Sequence, residues 1–416
     1  MVYPILIDPI LQLILELIEI VVSLKEQQRD ANAQLKELSE ALAALTSLDL
    51  SLQSIAAAEM RVLAATLQIN KTLTSLCLEM SSFGDSGMAA LAEALKTNTT
   101  LTSLNLNYTK ISGVGIEALA EMLKINKTLT SLELYGNNIG TVEMTALAAA
   151  LQINKTLTSL DLDDNDIGDA GMPVLAEVLK VNKTLTLLHL GRNHISDAGM
   201  IVLAEILKAN KTLTLLNLCG NNIRAAGMEA LTETLKTNTT LTSLDLDTNN
   251  LGDAGIAALA EALQTNTTLT SLSLYDDNLS AAGRKAISQI DLKIEKNKKL
   301  AERLIKAAKD NDLAAVKLWV NEGASVNYQD EDGNTALHYA TQHTNHAVID
   351  FLYSLPQQSI HLKNKKDEVV DARLFKRGYY DFGGRHVHFF GRPIPVEQIQ
   401  KNHHDAYKPD VMICTV

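Results

Sequence analysis

Asn70, Asn98, Asn126, Asn154, Asn182, Asn210, Asn238 and Asn266 each open an Asn-x-Thr-Leu tetrapeptide. Asn-x-Thr is the acceptor signal for N-linked glycosylation, so eight side-chain amides could in principle take a sugar. Other chemistry-bearing groups are sparser. His386, His388, His403, His404 and Cys414 are residue types that bind zinc, but their spacing fits no ligand pattern. Cys414 with His403 or His404 makes a thiol–imidazole pair on paper, with no local nucleophile signature around it. No phosphate-cradling glycine loop, nucleophile elbow or metalloprotease motif is present. The expectation is therefore no catalytic residue, no metal ligand, no cofactor and no enzymatic activity.

The spacing of the asparagines decides their role. Each step is 28 residues. Sugar sites have no reason to keep a fixed beat, whereas a chain that stacks one structural unit must. Composition agrees with this architectural reading. Cys77, Cys219 and Cys414 lie far apart and form no disulfide framework, which fits a reducing, cytoplasmic setting. No secretory signal is recognisable at the start, where residues 1–4 carry no basic cluster. The apolar stretch from Ile5 to Leu24 is interrupted by Asp8, Glu16 and Glu19, so no membrane span is expected.

One unit shows what must position these residues. Leu160 and Leu162 alternate with polar residues and face one side of a short strand. Asp169 is suited to cap a helix, and Met172, Leu175, Ala176 and Leu179 follow at helical spacing. Asn182 falls where that helix must stop, and Asn tolerates the left-handed conformation that ends many helices. The asparagines are thus expected to close helices. Strand and helix repeated in this way should stack into a parallel sheet with helices on its outer side.

The pattern L-x-x-L-x-L-x-x-N resembles the leucine-rich repeat family, and its 28-residue helical form is similar to the ribonuclease-inhibitor type. The resemblance covers about residues 45–290, with eight clear copies from Leu73. It implies an α/β solenoid, a horseshoe with the parallel sheet inside and helices outside. It also implies that Asn137, Asn165, Asn193, Asn221 and Asn249 bond neighbouring loop backbone, with Ser81, Thr109 and Asp277 interrupting that ladder near its ends. Farther on, Gly333-Asn334-Thr335-Ala336-Leu337-His338-Tyr339-Ala340 resembles the ankyrin signature, and Leu304, Ala307 and Trp319 match Leu337, Ala340 and Leu352 thirty-three residues later. In that family the residue at His338 is a structural hydrogen-bonder. A third, degraded copy starts near Lys363.

The expected organisation is four parts: an N-terminal helical cap over 1–44, the leucine-rich repeats over 45–290, ankyrin repeats over 291–370, and an unassigned segment over 371–416. In the cap, Leu13, Leu17, Ile20 and Leu24, then Leu35, Leu38, Leu42 and Leu45, follow helical spacing. In the last segment, Gly383-Gly384 between two aromatic runs suggests a hairpin. The net charge of −12 is concentrated. Residues 1–290 hold 19 basic and 32 acidic residues, giving −13, and 291–416 hold 18 and 17, giving +1. An acidic surface argues against nucleic acid as a partner.

Where the copies disagree with one another, they disagree at solvent-facing strand positions. Glu79, Tyr108, Glu133, Tyr135, Asp161, Asp163, Asp164, His189, Arg192, Asp245, Asp247 and Tyr275 are the candidate partner-binding residues. Tyr and Arg are common interface anchors, and the carboxylates would steer a protein with a basic surface. The expected function is a non-enzymatic interaction scaffold, its oligomeric state open. The repeat combination also resembles effectors that bacteria deliver into host cytosol. Two rivals remain: an activity carried by residues 371–416, and regulation of a GTPase or other enzyme, in which Arg192 would act.

Overall fold

The computed structural model describes residues 9–26, 32–275, 279–355 and positions 362, 364 and 368. Nine three-residue strands form one parallel sheet in chain order: β1 (Ser47–Asp49), β2 (Ser75–Cys77), β3 (Ser103–Asn105), β4 (Ser131–Glu133), β5 (Ser159–Asp161), β6 (Leu187–His189), β7 (Leu215–Asn217), β8 (Ser243–Asp245) and β9 (Ser271–Ser273). Neighbours pair without any slip, residue for residue at the repeat period, as in Ser131 with Ser159. After the N-terminal helices α1 (Pro9–Glu26) and α2 (Asn32–Ala43), the strands alternate with α3 (Ala57–Ile69), α4 (Gly84–Thr97), α5 (Gly113–Ile125), α6 (Thr141–Ile153), α7 (Gly168–Val181), α8 (Asp197–Ala209), α9 (Ala225–Leu235), α10 (Gly252–Thr265) and α11 (Ala281–Lys309).

The solenoid is held by repetition of one burial pattern. The central leucine of β2 to β8 is at most 1% exposed and points toward the helices, and the residues on either side face away from them. Each such leucine contributes about 2 kcal/mol by leaving water. One continuous apolar core runs from Ile14 in α1 to Ile290 in α11. In α1 its members are Ile14, Leu17, Ile18 and Val21. Of the stripe expected from sequence, Leu17 is buried and Leu24 packs against the core, but Leu13 and Ile20 are 41% and 45% exposed. Leucine and isoleucine occupy almost every face of this helix, so periodicity alone could not fix which face turns inward.

The sequon asparagines do close the helices, except at α9, whose C-cap is Lys236 two residues before Asn238, but by a different geometry from the one expected. Asn126 has φ −58 and ψ 136, an extended conformation rather than a left-handed one. Its Oδ1 accepts from the backbone N–H of Thr128 and Leu129, and its Nδ2 donates to the carbonyl of Leu95 in the preceding helix at 2.7 Å. The same inter-repeat bond recurs at Asn98, Asn154, Asn182, Asn210, Asn238 and Asn266. These side chains are buried, and a glycan on Nδ2 would destroy the bond, so the folded stack has no place for sugar there.

Asp169 also acts between repeats. It does not cap its own helix, whose N-cap is Ile167. Its Oδ1 accepts from the N–H groups of Ser196 and Gly199, at 2.8 and 2.9 Å, at the start of α8. Asp85, Asp197 and Asp253 reach the next helix in the same way through Ser112, Arg224 and Ser280. A third ladder runs through the motif asparagines, as where Asn165 donates to Leu134 O and accepts from Ile139 N. Ser81 keeps that inter-repeat bond by donating to Leu50 O, whereas Thr109 donates to Leu106 O within its own repeat.

The ankyrin part has its own core, from Leu304 to Leu352. Helix α11 enters it without a break. It is followed by α12 (Leu313–Asn321), α13 (Ala336–Gln342) and α14 (His346–Tyr353). The boundary read near residue 290 therefore falls inside a 29-residue helix. Asn297, fully buried in α11, donates to Asn266 O and Leu269 O of the last repeat. Gly323 lies against Thr267, whose Oγ1 is 2.8 Å from where a Cβ would stand. His338 is structural: Nδ1 accepts from Thr335 N–H, and burial pushes its pKa down. Apart from positions 364 and 368, the third ankyrin copy, the Gly383-Gly384 hairpin, the tail histidines and Cys414 lie outside the described residues, as do Asp276 and Asp277.

Candidate functional site: the inner sheet face

The face of the sheet turned away from the helices displays one residue from each repeat per column. The last strand residues form one column, and Glu133, Asp161, His189 and Asp245 stand in it. Two residues farther along the chain, Glu79, Tyr135, Asp163, Asp247 and Tyr275 form a second. One residue on, Tyr108, Asp164 and Arg192 occupy the turn, each with a positive φ between 51° and 53°. That turn column is left-handed in repeat after repeat, with Gly136 and Gly220 filling it at two positions. Left-handed backbone strains a residue that has a Cβ, so the turn geometry is imposed by the stack and aims these three side chains past the strand ends.

The structure gathers the middle of the candidate set and leaves its ends apart. Asp163 is the hub. Its Oδ1 accepts from Gly191 N–H, and its Oδ2 accepts from Asn217 Nδ2 at 2.8 Å, two strands away. Its own N–H donates to Asp161 Oδ1, and His189 Nδ1 lies 3.8 Å from its Oδ2. Glu133 Oε2 accepts from Asn107 Nδ2 at 3.1 Å. Asp247 accepts from Ser273 Oγ at 2.6 Å, while its second oxygen is buried without a partner. Tyr108 and Tyr135 meet edge to face, with centroids 4.8 Å apart, and Tyr108 Oη donates to Asp164 at 3.5 Å. Tyr275 is 61% exposed and Arg192 is exposed, each apart from the Asp163 hub.

The electrostatics follow from half-burial of like charges. Burial, joined by repulsion from neighbouring carboxylates, raises the pKa values of Glu133, Asp161 and Asp245. The Asp163 carboxylate beside it and the fields of Asp161 and Asp245 raise that of His189. Burial pushes the Cys77 thiol up to about 11, so it is a poor nucleophile. Asp161, Asp163 and His189 place ligand atoms within 4.8 Å of one another, the right types and distances for a metal ion. Groups exposed to this degree also sit together without one.

Two members of this face were missed from sequence. Seven strands begin with serine, but β6 and β7 begin with Leu187 and Leu215, half-buried and paired in register. The signal was available: aligning the copies shows the serine column broken at two successive repeats.

Family models described as "Leucine Rich repeat" match at residues 97–120, 126–148, 154–176, 181–204, 209–231 and 237–260, and one described as "Ankyrin repeats (many copies)" matches residues 304–352. The chain thus contains leucine-rich repeats followed by ankyrin repeats, both modules typical of protein–protein interaction. Among solved structures, it is similar over 36% of its length to 90% of a chain described as leiomodin-1 actin-binding site 2, with 26% identity and a TM-score of 0.33. It is similar over 38% to 93% of a Caenorhabditis elegans tropomodulin C-terminal domain, with 16% identity and a TM-score of 0.34. No curated protein sequence matches it. No helix among the described residues is long and apolar enough to cross a membrane.

Proposed function

We propose that this protein is a non-enzymatic scaffold that holds a protein partner with a basic surface on its inner sheet face. One observation carries the reading. Glu133, Asp161 and Asp163 stand on or just past the adjacent strands β4 and β5, with Asp245 on β8, and half-burial with repulsion between carboxylates raises the pKa values of Glu133, Asp161 and Asp245. Such a face stores unfavourable energy that a cationic partner would relieve. Tyr135 and Tyr108 add rigid aromatic area beside it. We place the protein in a cytosol, and the pairing of the two repeat types fits an effector acting in a host cell.

The test is capture of partners from eukaryotic cytosol by the intact chain and by a Tyr135→Ala, Asp163→Ala, Arg192→Ala variant of matched thermal stability. A partner lost only in the variant supports the inner face. A partner kept by the variant and lost on removal of residues 300–416 moves the site to the ankyrin and C-terminal region. The GTPase-regulating alternative is answered by a GTP hydrolysis assay with Arg192→Ala.

A further inference from the structure

Leu187 and Leu215 have no structural reason to differ from the serines that open the other strands. The leucines that fill the core in these strands are Leu188 and Leu216, both fully buried. Leu187 and Leu215 project from the opposite face, where the seven serines serve equally well. Leucine there puts two apolar side chains side by side, about 5 Å apart across the strands, on an otherwise polar surface. Half-buried and adjacent on the sheet face, the pair offers an apolar spot that a partner's side chain could cover.

Their surroundings define what the contact is with. Two residues along the same strands, about 7 Å away, stand His189 and Asn217. On the flanking strands at that level are Asp161 and Asp245, and Asp163 is drawn across toward Asn217 by the absence of a side chain at Gly191. A Cβ on Gly191 would lie 3.1 Å from Asp163 Oδ1 and 2.8 Å from Cys219 Sγ. The two repeats that carry the extra leucines are therefore flanked by Asp161 on β5 and Asp245 on β8, and Asp163 reaches across toward them.

Resting on the scaffold reading above, we propose that β6 and β7 form the recognition point for a partner segment that sets an apolar side chain beside a lysine or arginine. The apolar group covers Leu187 and Leu215, and the cationic group enters among Asp161, Asp163 and Asp245. Charge complementarity selects the head, and the leucine pair distinguishes such a segment from a merely basic one. An extended segment meets the spacing with residues two apart, the same separation as Leu187 and His189 on the strand.

Random 12-residue peptides displayed on phage test this against the full chain. Two variants use residues that the protein's own repeats already carry at these positions. Leu187→Ser with Leu215→Ser restores the serine column, and Asp161→Asn with Asp245→Asn copies Asn105 and Asn217. The expected result is enrichment of peptides with Lys or Arg next to an apolar residue, each binding about 10-fold more weakly to either variant. Enriched peptides that lack a cationic residue overturn the proposal. So do peptides that depend on Tyr135 and Asp163 but bind the serine variant unchanged, an outcome that leaves the scaffold reading standing. If no peptide depends on any inner-face residue, both readings fail.

Discussion

Asp169 Oδ1 accepts from the backbone N–H of Gly199 at 2.9 Å, across the boundary between two repeats. The glycine is required by its partner. A Cβ at Gly199 would stand 2.5 Å from that oxygen and 2.9 Å from Met172 Cγ. Gly227 and Gly283 face Asp197 and Asp253 in the same way, at 2.7 and 2.2 Å.

Gly199→Ala thus separates the clamp from intrinsic propensity. Within a helix this change ordinarily stabilises by about 1 kcal/mol. Here it should destabilise by about 1–2 kcal/mol, the usual effect of overpacking. Asp169→Ala should also destabilise, and the double variant should recover part of the alanine penalty. Urea unfolding of the four proteins measures the coupling, and a more stable Gly199→Ala single variant would refute the clamp.

The asparagine ladder predicts a gradient. Asn182→Ala removes the bond to Leu151 O and two bonds accepted from Thr184 and Leu185 N–H, all buried. The loss should be about 3 kcal/mol, on the scale of orphaned buried groups. Among the described residues Asn70 Nδ2 donates to Thr72 Oγ1 and not to a preceding helix, so Asn70→Ala should cost clearly less. Equal losses at the two sites, read from denaturant midpoints, would contradict the gradient.

Two sets of acids predict the pH profile. Glu133, Asp161 and Asp245 are raised, so the folded chain binds more protons than the unfolded one just above the usual carboxylate range of about 4. Stability should rise as pH falls through that window. Raised His189 acts in the same direction nearer neutrality: its contribution is full below about 6.5 and lost as pH climbs through its folded value. The clamp acids are lowered. The Ser112 and Ser280 hydroxyls hold Asp85 and Asp253 down, and at Asp169 burial pushes up but the bonds from Ser196 and Gly199 outweigh it. Their contribution is present above about 3.9 and lost as pH falls below it. Melting temperature at low salt should therefore peak near pH 5 and fall on both sides. Asp161→Asn with Asp245→Asn should flatten the neutral limb, and a steady rise from pH 5 to 8 in the unmodified chain would count against the assignment.

The ankyrin junction predicts a local effect. Gly323, at φ +90, lies against Thr267 of the last repeat. Gly323→Val should speed amide hydrogen exchange in α12 while leaving α5 to α8 unchanged. Exchange unaltered at α12 would show that this contact does not hold the module.

The stack was legible in the sequence because its period equals one turn of the solenoid, so each conserved chemical type marks one spatial column. The partners of those types were less legible. Asn182 bonds a carbonyl 31 residues back, and Asp169 bonds a helix start 27 residues ahead. A residue read only against its own repeat is given the wrong role, as when Asp169 was expected to cap α7. The same limit hid Leu187 and Leu215. An apolar residue in an apolar repeat carries no local signal, and only the serines above and below it show that it faces outward.

Helix α11 carries a consequence of its own. At 1.5 Å per residue its 29 residues make a rod of about 43 Å, with one end seated in the last repeat and the other in the ankyrin core. Asn297, with one amide oxygen buried and unpartnered, sits along that rod where it leaves the solenoid. A torque applied to the ankyrin end would arrive at β9 as rotation rather than be absorbed by slack chain. The two modules thus share one continuous helix in place of a linker.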